Sequence, residues 1–141
     1  MSDNQLVTQL NNLLINIDKS LLQYAGEVSL WTAIDAEEER EVYHSLVARQ
    51  KSNSGAILEI ILNRRWELTQ GTYPTAYTDL HFVAFDYLAA EIAKNEQMIV
   101  EIIKETKNAF SEDAEVSALL DRVLEDTLDN IQQLNKVSSN R

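Results

Sequence analysis

The chain contains very few of the residues that interrupt regular structure. It has three glycines and one proline in 141 residues, and Gly71 and Pro74 stand close together. An all-β fold needs a turn about every ten residues, and turns depend mainly on such residues. The scarcity therefore predicts an all-α fold of long helices, with one main interruption around Gly71 and Pro74.

Four stretches carry apolar residues at helical spacings of three and four. They predict helices over Asp3–Trp31, Asp35–Arg65, Tyr77–Asn108 and Ser111–Val137. The first and third connections are short, while the second is longer. Helices joined by short connections pair antiparallel, so we predict a four-helix bundle of two antiparallel hairpins joined by a longer crossover. Residues 1–141 are expected to form one domain.

The second predicted helix is polar halfway along its buried face. Its apolar stripe runs from Tyr43 to Ile61, and the polar positions between them are Gln50, Lys51 and Ser54. The segment Ser52–Gly55 is poor helix sequence and, as a loop, would divide the helix in two. The stripe keeps its phase across this segment, which favours one continuous helix.

Polar residues also stand near the middle of the other predicted helices. Helix midpoints meet in a bundle, where facing carboxylates can bind a pair of metal ions. The residues concerned are Asp18 in the first helix, Glu91 and Asn95 in the third, and Asp126, Asp129 and Asn130 in the fourth.

In helix number, connection lengths and these midpoints, the whole chain resembles the ferritin-like superfamily, which includes rubrerythrins and bacterioferritins. The resemblance implies a di-metal site made of one Glu from each of two helices and Glu-x-x-His from each of the other two. Asp18 and Glu91 match the single carboxylates. The Glu-x-x-His positions instead read Lys51-x-x-Ser54 and Asp126-x-x-Asp129. Without either histidine, the resemblance implies a degenerate metal site.

A lysine in the middle of a buried stripe suggests a substitute for the metal. Under this hypothesis, the ammonium of Lys51 occupies the metal position and pairs with Asp18, Glu91 or Asp126. A buried cation would neutralise carboxylates that cannot remain charged alone in a core. The alternative is that Lys51 extends along the helix surface into solvent.

Glu41 and His44 form the Glu-x-x-His that the chain does contain. Oxygen and imidazole ligands suit iron, manganese or zinc. The pair occurs earlier in the second helix than the resemblance places it, and Glu41 is expected on the acidic outward face. His81, the other histidine, is expected near a helix end.

Charge and composition restrict the possible partners. The net charge of −11 and a pI of about 4.5 oppose binding to nucleic acid or to anionic lipid. Absence of cysteine excludes disulfides and thiolate metal sites. The sequence shows neither a signal peptide nor a transmembrane run, so we expect a cytoplasmic protein.

These features predict a non-catalytic ferritin-like bundle without a cofactor, which acts by self-association, as a homodimer, or by binding a partner. One alternative is a di-iron or di-manganese oxidoreductase, or an iron-binding protein, with a rearranged site. Its candidate ligands are Asp18, Glu91, Asp126 and Asp129, with Glu41 and His44 as a further candidate pair. Another is a small-molecule binder that uses the polar bundle centre as its pocket.

Overall fold

A computed structural model describes residues 3–28, 37–82 and 85–139. These residues form five α-helices and one 3-10 helix, and no strand occurs among them. The helices are α1 (Asp3–Asp18), α2 (Leu21–Glu27), α3 (Glu37–Asn63), the 3-10 helix (Thr75–Phe82), α4 (Phe85–Ala109) and α5 (Ala114–Ser139). The predicted all-α class is confirmed. In the described ranges, no helix has the length and apolar character needed to cross a membrane.

The first predicted helix is divided into α1 and α2. Ser20 lies between them in an extended conformation, and its Oγ accepts a hydrogen bond from the backbone N–H of Gln23 at 3.2 Å. Serine favours this position because its hydroxyl satisfies an N–H that has no partner within the helix. The apolar spacing continues across the division, which is why the stripe did not reveal it. Trp31, the predicted end, lies outside the described residues.

The second predicted helix is continuous, as its stripe indicated. α3 passes through Ser52–Gly55 without a break. It ends because Arg65 adopts a left-handed backbone conformation with φ of 57°. The N–H of Trp66 then bonds to the carbonyl of Ile61 at 2.9 Å, which closes the last turn. Asp35, the predicted start of this helix, lies outside the described residues.

The remaining helices begin later than predicted. The 3-10 helix occupies the predicted start of the third helix, and α4 follows it. α5 begins at Ala114 rather than at Ser111, and Asp113 caps it, since Oδ1 of Asp113 accepts from the N–H of Val116 at 3.1 Å. Aspartate is a common helix cap, and its charge also suits the positive end of the helix dipole.

Each long helix packs against two of the other long helices. α1 contacts α3 and α4, and α5 also contacts α3 and α4, while the short α2 packs on α3 and α4. Two separate apolar clusters fill the interior. One cluster includes Leu22, Tyr43, Leu46, Ile92 and Leu134. The other includes Leu13, Ile17, Ile57, Ile99 and Val123.

Candidate functional site

A layer of polar side chains lies between the two apolar clusters. It consists of Ser20, Gln23, Gln50, Glu96 and Asn130, each 5% exposed or less. Along α3 it follows Leu46 of the first cluster and precedes Ile57 of the second, and along α4 it lies between Ile92 and Ile99. We refer to these five residues as the polar layer.

Glu96 is the centre of the polar layer and has no exposed surface. Nε2 of Gln50 donates to both carboxylate oxygens at 2.9 Å, and Nδ2 of Asn130 donates to Oε1 at 3.1 Å. Burial raises the pKa of Glu96 to about 7, while the hydrogen bonds from Asn130 and Gln50 act in the opposite direction. The carboxyl is therefore surrounded by neutral amide donors, and no cation among the described residues pairs with it.

The other end of the Gln50 amide connects the layer to α2. Its Oε1 accepts from Oγ of Ser20 at 2.7 Å and from Nε2 of Gln23 at 2.9 Å. Gln23 also donates to the carbonyl of Val47 at 3.1 Å. The division between α1 and α2 thus has a role in the interior, because it brings the hydroxyl of Ser20 to Gln50.

Arg49 joins the outer edge of the layer to α5. Its Nη2 donates to Oδ1 of Asn130, to Oδ2 of Asp129 at 2.8 Å and to the carbonyl of Asp126 at 3.2 Å. The carboxylate of Asp126 accepts from Nδ2 of Asn53 at 3.0 Å. The hydrogen bond from Arg49 lowers the pKa of Asp129. Side-chain donors of α3 thus already hold both carboxylates that were predicted as metal ligands on α5.

The predicted ligands on the other helices lie elsewhere. The side chain of Asp18 is 50% exposed, with Nζ of Lys19 at 3.8 Å. Glu91 pairs with Lys94 one turn away on α4 at 3.1 Å. The structure therefore does not bring the four predicted carboxylates together. Across the described ranges, no three histidine, aspartate or glutamate side chains converge on a possible metal position.

Glu41 and His44 both lie on the exposed side of α3. They are separate from the polar layer, although they have the spacing of a ligand pair. The side chain of His81 lies outside the described part of the chain. Histidine therefore contributes nothing to the described interior.

Lys51 is exposed, which contradicts the hypothesis that its ammonium occupies a metal position in the interior. Successive residues of a helix point about 100° apart, and the inward position belongs to its neighbour Gln50. Ser54 is buried and donates to the carbonyl of Lys51 at 3.0 Å. Asn95 is half-buried, and its Oδ1 accepts from the N–H of Leu21 at 3.0 Å at the start of α2.

Sequence reasoning missed Glu96 because it placed the buried face of α4 one residue out of phase. The apolar stripe that Glu91 and Asn95 interrupt runs through Tyr87 or Leu88 and Met98, and Tyr87 and Met98 are 52% and 48% exposed. The buried face instead includes Leu88, Ile92, Glu96, Ile99 and Ile103. The signal was available, since this second stripe is richer in large aliphatic residues than the one chosen.

A surface groove of about 290 Å³ lies outside the polar layer. Its walls are the end of α1, the middle of α3 and residues 68–71 of the connection that follows α3. We call it the α1–α3 groove. It is lined by Leu14, Ile15, Asp18, Lys19, Lys51, Ser54, Gly55, Leu58, Leu68, Thr69, Gln70 and Gly71.

Comparison of the chain with protein-family models, with curated proteins and with solved structures finds no match. The ferritin-like resemblance therefore stays a prediction.

Proposed function

We propose that the chain is a non-catalytic binding protein with a ferritin-like four-helix bundle, in which the polar layer replaces a di-metal centre. The observation that carries the proposal is the environment of Glu96. Both oxygens of its carboxyl accept hydrogen bonds from amides of α3 and α5. A fully buried carboxyl that accepts three hydrogen bonds from neutral amides fits a structural group.

The orientation of the amides supports this reading. A di-metal site needs oxygen or imidazole ligands that converge on the metals. Gln50 and Asn130 instead present N–H groups to Glu96, and N–H groups cannot bind a cation. Their oxygens are turned away and accept from Gln23 and Arg49. If the amide of Gln50 were turned over, its N–H groups would face the donor of Gln23. If the amide of Asn130 were turned over, its N–H groups would face the donor of Arg49.

Under this proposal the protein acts by association. Exposed apolar side chains are available for it, including Leu62 at 56% exposure, Tyr87 at 52% and Met98 at 48%. Covering such residues gives an association part of its free energy. We propose a homodimer, and the acidic charge of −11 favours a partner that is neither nucleic acid nor an anionic membrane.

Metal content tests the proposal. The untagged protein, purified from cells grown aerobically with added iron and manganese, is expected to contain less than one equivalent of either metal per chain. Glu96→Gln and Asp126→Ala are the matched variants, and both should show the same metal content as the parent. Two equivalents per chain that either substitution removes would contradict the proposal and indicate a carboxylate oxidoreductase or iron-binding protein.

Sedimentation equilibrium of the same preparations tests self-association. We expect the mass of a dimer at micromolar concentration, and we expect Glu96→Gln to retain it because Glu96 has no surface. A monomer at every concentration would contradict the homodimer, and the binding role would then require a different partner.

A further inference from the structure

Gly55 lies in the middle of α3 and lines the α1–α3 groove. A Cβ atom added at this position would meet no other atom within 4 Å. Glycine destabilises a helix interior relative to alanine, and it is usually kept there where another group packs closely. No such group is present among the described residues. The missing side chain instead enlarges the groove.

Gly71 closes the opposite wall of the groove. A Cβ atom here would come within 2.4 Å of Cγ2 of Ile15 on α1. The connection after α3 can therefore lie directly against α1 only because residue 71 is glycine. Leu14, Ile15 and Leu58 contribute apolar surface beside this contact. The groove is thus narrow and partly apolar.

Among the described residues that line the groove, Lys51 is a cation without a charged partner, whereas Lys19 has one. Lys19 lies 3.8 Å from Asp18 and is also stacked over the ring of Tyr73 at 4.8 Å. Glu27, at the neighbouring depression, accepts from the hydroxyl of Tyr73 at 2.6 Å. Lys51 lines both spaces and makes no ion pair or hydrogen bond through its side chain within the described part of the chain.

Two further polar side chains at the groove are available to a ligand. Thr69 and Gln70 are exposed, and their side chains make no hydrogen bond to other described residues. The backbone N–H of Thr69 is held by Oδ1 of Asn11 at 2.8 Å, which fixes this part of the connection. Hydroxyl and amide N–H groups are suitable donors to a carboxylate.

We infer that the α1–α3 groove binds a free small carboxylate with an apolar body. The carboxylate is held by the ammonium of Lys51, with Thr69 and Gln70 as neutral donors, and the apolar body lies against Leu14 and Leu58 in the space beside Gly55. A volume near 300 Å³, apolar walls and a few polar groups are typical of small-molecule sites. This inference rests on the proposed binding role and names a ligand for it.

Octanoate is a suitable probe, with 1-octanol as its uncharged equivalent. Amide NMR spectra report the site directly, because Gly55 and Gly71 line the groove and the chain has only three glycines. Octanoate is expected to shift both glycine signals in a saturable manner, and 1-octanol should bind more weakly. Equal binding of the alcohol would overturn the carboxylate assignment, and unshifted signals would overturn the site.

Two variants and a control test the residues. Lys51→Gln should weaken octanoate binding about tenfold while 1-octanol binding stays unchanged. Gly55→Leu should fill the groove and abolish binding of both probes, and circular dichroism should show an intact helix because leucine is the better helix former. Lys104→Gln, at an exposed position on α4, should bind like the parent. Binding by Lys51→Gln at the strength of Lys104→Gln would overturn the role of Lys51.

The inference and the proposed function fail in different ways. A metal-free protein that does not bind octanoate leaves a binding protein with another ligand. A protein with two metal equivalents per chain contradicts the proposed function whether or not octanoate binds.

Discussion

Glu96 makes the interior sensitive to pH. Removing a carboxyl group from water disfavours its charged form, and the pKa of Glu96 rises from an ordinary value of 4.5 to about 7. Between these values the folded state retains a proton that the unfolded state has lost. Stability from this group is therefore complete below about pH 4.5 and is lost as the pH rises through 7.

Glu96→Gln should remove this pH dependence. We expect the free energy of unfolding of the parent, relative to the variant, to fall by about 2–3 kcal/mol between pH 5 and pH 8. Urea denaturation of both proteins at the two pH values measures the change. The contributions of other titrating groups cancel in the comparison. A difference that is constant, or that increases with pH, would contradict the raised pKa.

The side chain of Gln50 makes more hydrogen bonds within the polar layer than any other member of the layer. Replacing it by alanine leaves hydrogen-bonding groups of Glu96, Ser20 and Gln23 without their partner. We expect Gln50→Ala to reduce the free energy of unfolding by about 3 kcal/mol at pH 7. Gln97→Ala, on the exposed face of α4, is the control and should change it by less than about 0.5 kcal/mol. Similar effects of the two substitutions would show that the layer contributes little.

At the scale of elements, the sequence predicted the class and order of the helices but not all of their boundaries. Apolar spacing is a strong signal for long helices and identified α3 and α5 well. It could not show the division at Ser20, because the stripe continues through it. It also selected the stripe of Glu91 on α4 instead of the stripe of Glu96, since the two differ by only one residue. The stripe of Glu96 is the richer in large aliphatic residues, and α4 packs against α1, α2 and α5.

Alanine substitutions at Gly55 and Gly71 should change the free energy of unfolding in opposite directions. Gly55→Ala is expected to raise the free energy of unfolding by about 0.5–1 kcal/mol, because it adds helix propensity where a Cβ meets nothing. Gly71→Ala should lower it by about 1 kcal/mol or more, because Ile15 must move. Thermal denaturation of the pair checks both signs. A loss of stability in Gly55→Ala would mean that the position is packed.

An ion pair at the start of α5 also joins this helix to Arg64, which directly follows α3. Arg64 donates to both oxygens of Asp113 and to Glu115 at 2.7 Å, just where Asp113 caps α5. The hydrogen bond from Arg64 lowers the pKa of Asp113, so stability from this carboxylate is present at neutral pH and lost as the pH falls through that lowered pKa.

Asp113→Asn distinguishes the contribution of the helix cap to stability from that of the ion pair with Arg64. Asparagine caps helices nearly as well as aspartate, so this variant should lose only the charged contact with Arg64. Asp113→Ala should lose both and be destabilised by about 1–2 kcal/mol at pH 7. Urea denaturation is expected to rank the parent first, Asp113→Asn second and Asp113→Ala third. Equal stability of the two variants would show that the cap has no effect.

At the scale of the whole molecule, the sequence predicted a polar centre but not its chemistry. Gln50 and Asn130 stand at helix midpoints in the sequence and lie in the polar layer. Lys51 and Asp18, which also stand at midpoints, face outward. A position halfway along a helix does not specify which way its side chain points around the helix axis. That direction depends on the neighbouring helices.

The net charge of −11 acts on the molecule as a whole. Repulsion between the acidic side chains extends about 30 Å at 0.01 M salt but only about 6–10 Å at a few tenths molar. Since α3 alone is about 40 Å long, low salt lets charges repel across most of the molecule, and higher salt does not. Sodium chloride should therefore raise the melting temperature by several degrees over this range. Differential scanning calorimetry measures the shift. A fall in melting temperature would show that attractive ion pairs outweigh the excess negative charge.

The polar layer also restricts how the helices can slide along one another. Apolar stripes tolerate axial displacement, because one aliphatic side chain packs against another of similar size. If α3 moved by one turn, about 5.4 Å, Gln50 would leave Glu96, and the carboxyl would face Leu46 in one direction or Ser54 in the other. Leucine has no donor, and the hydroxyl of serine supplies one donor where the amide of Gln50 supplies two. Each buried group left without a partner would cost roughly 1–3 kcal/mol. The layer therefore sets a single register for the helices, so that one alignment is selected from the several that apolar packing alone would allow.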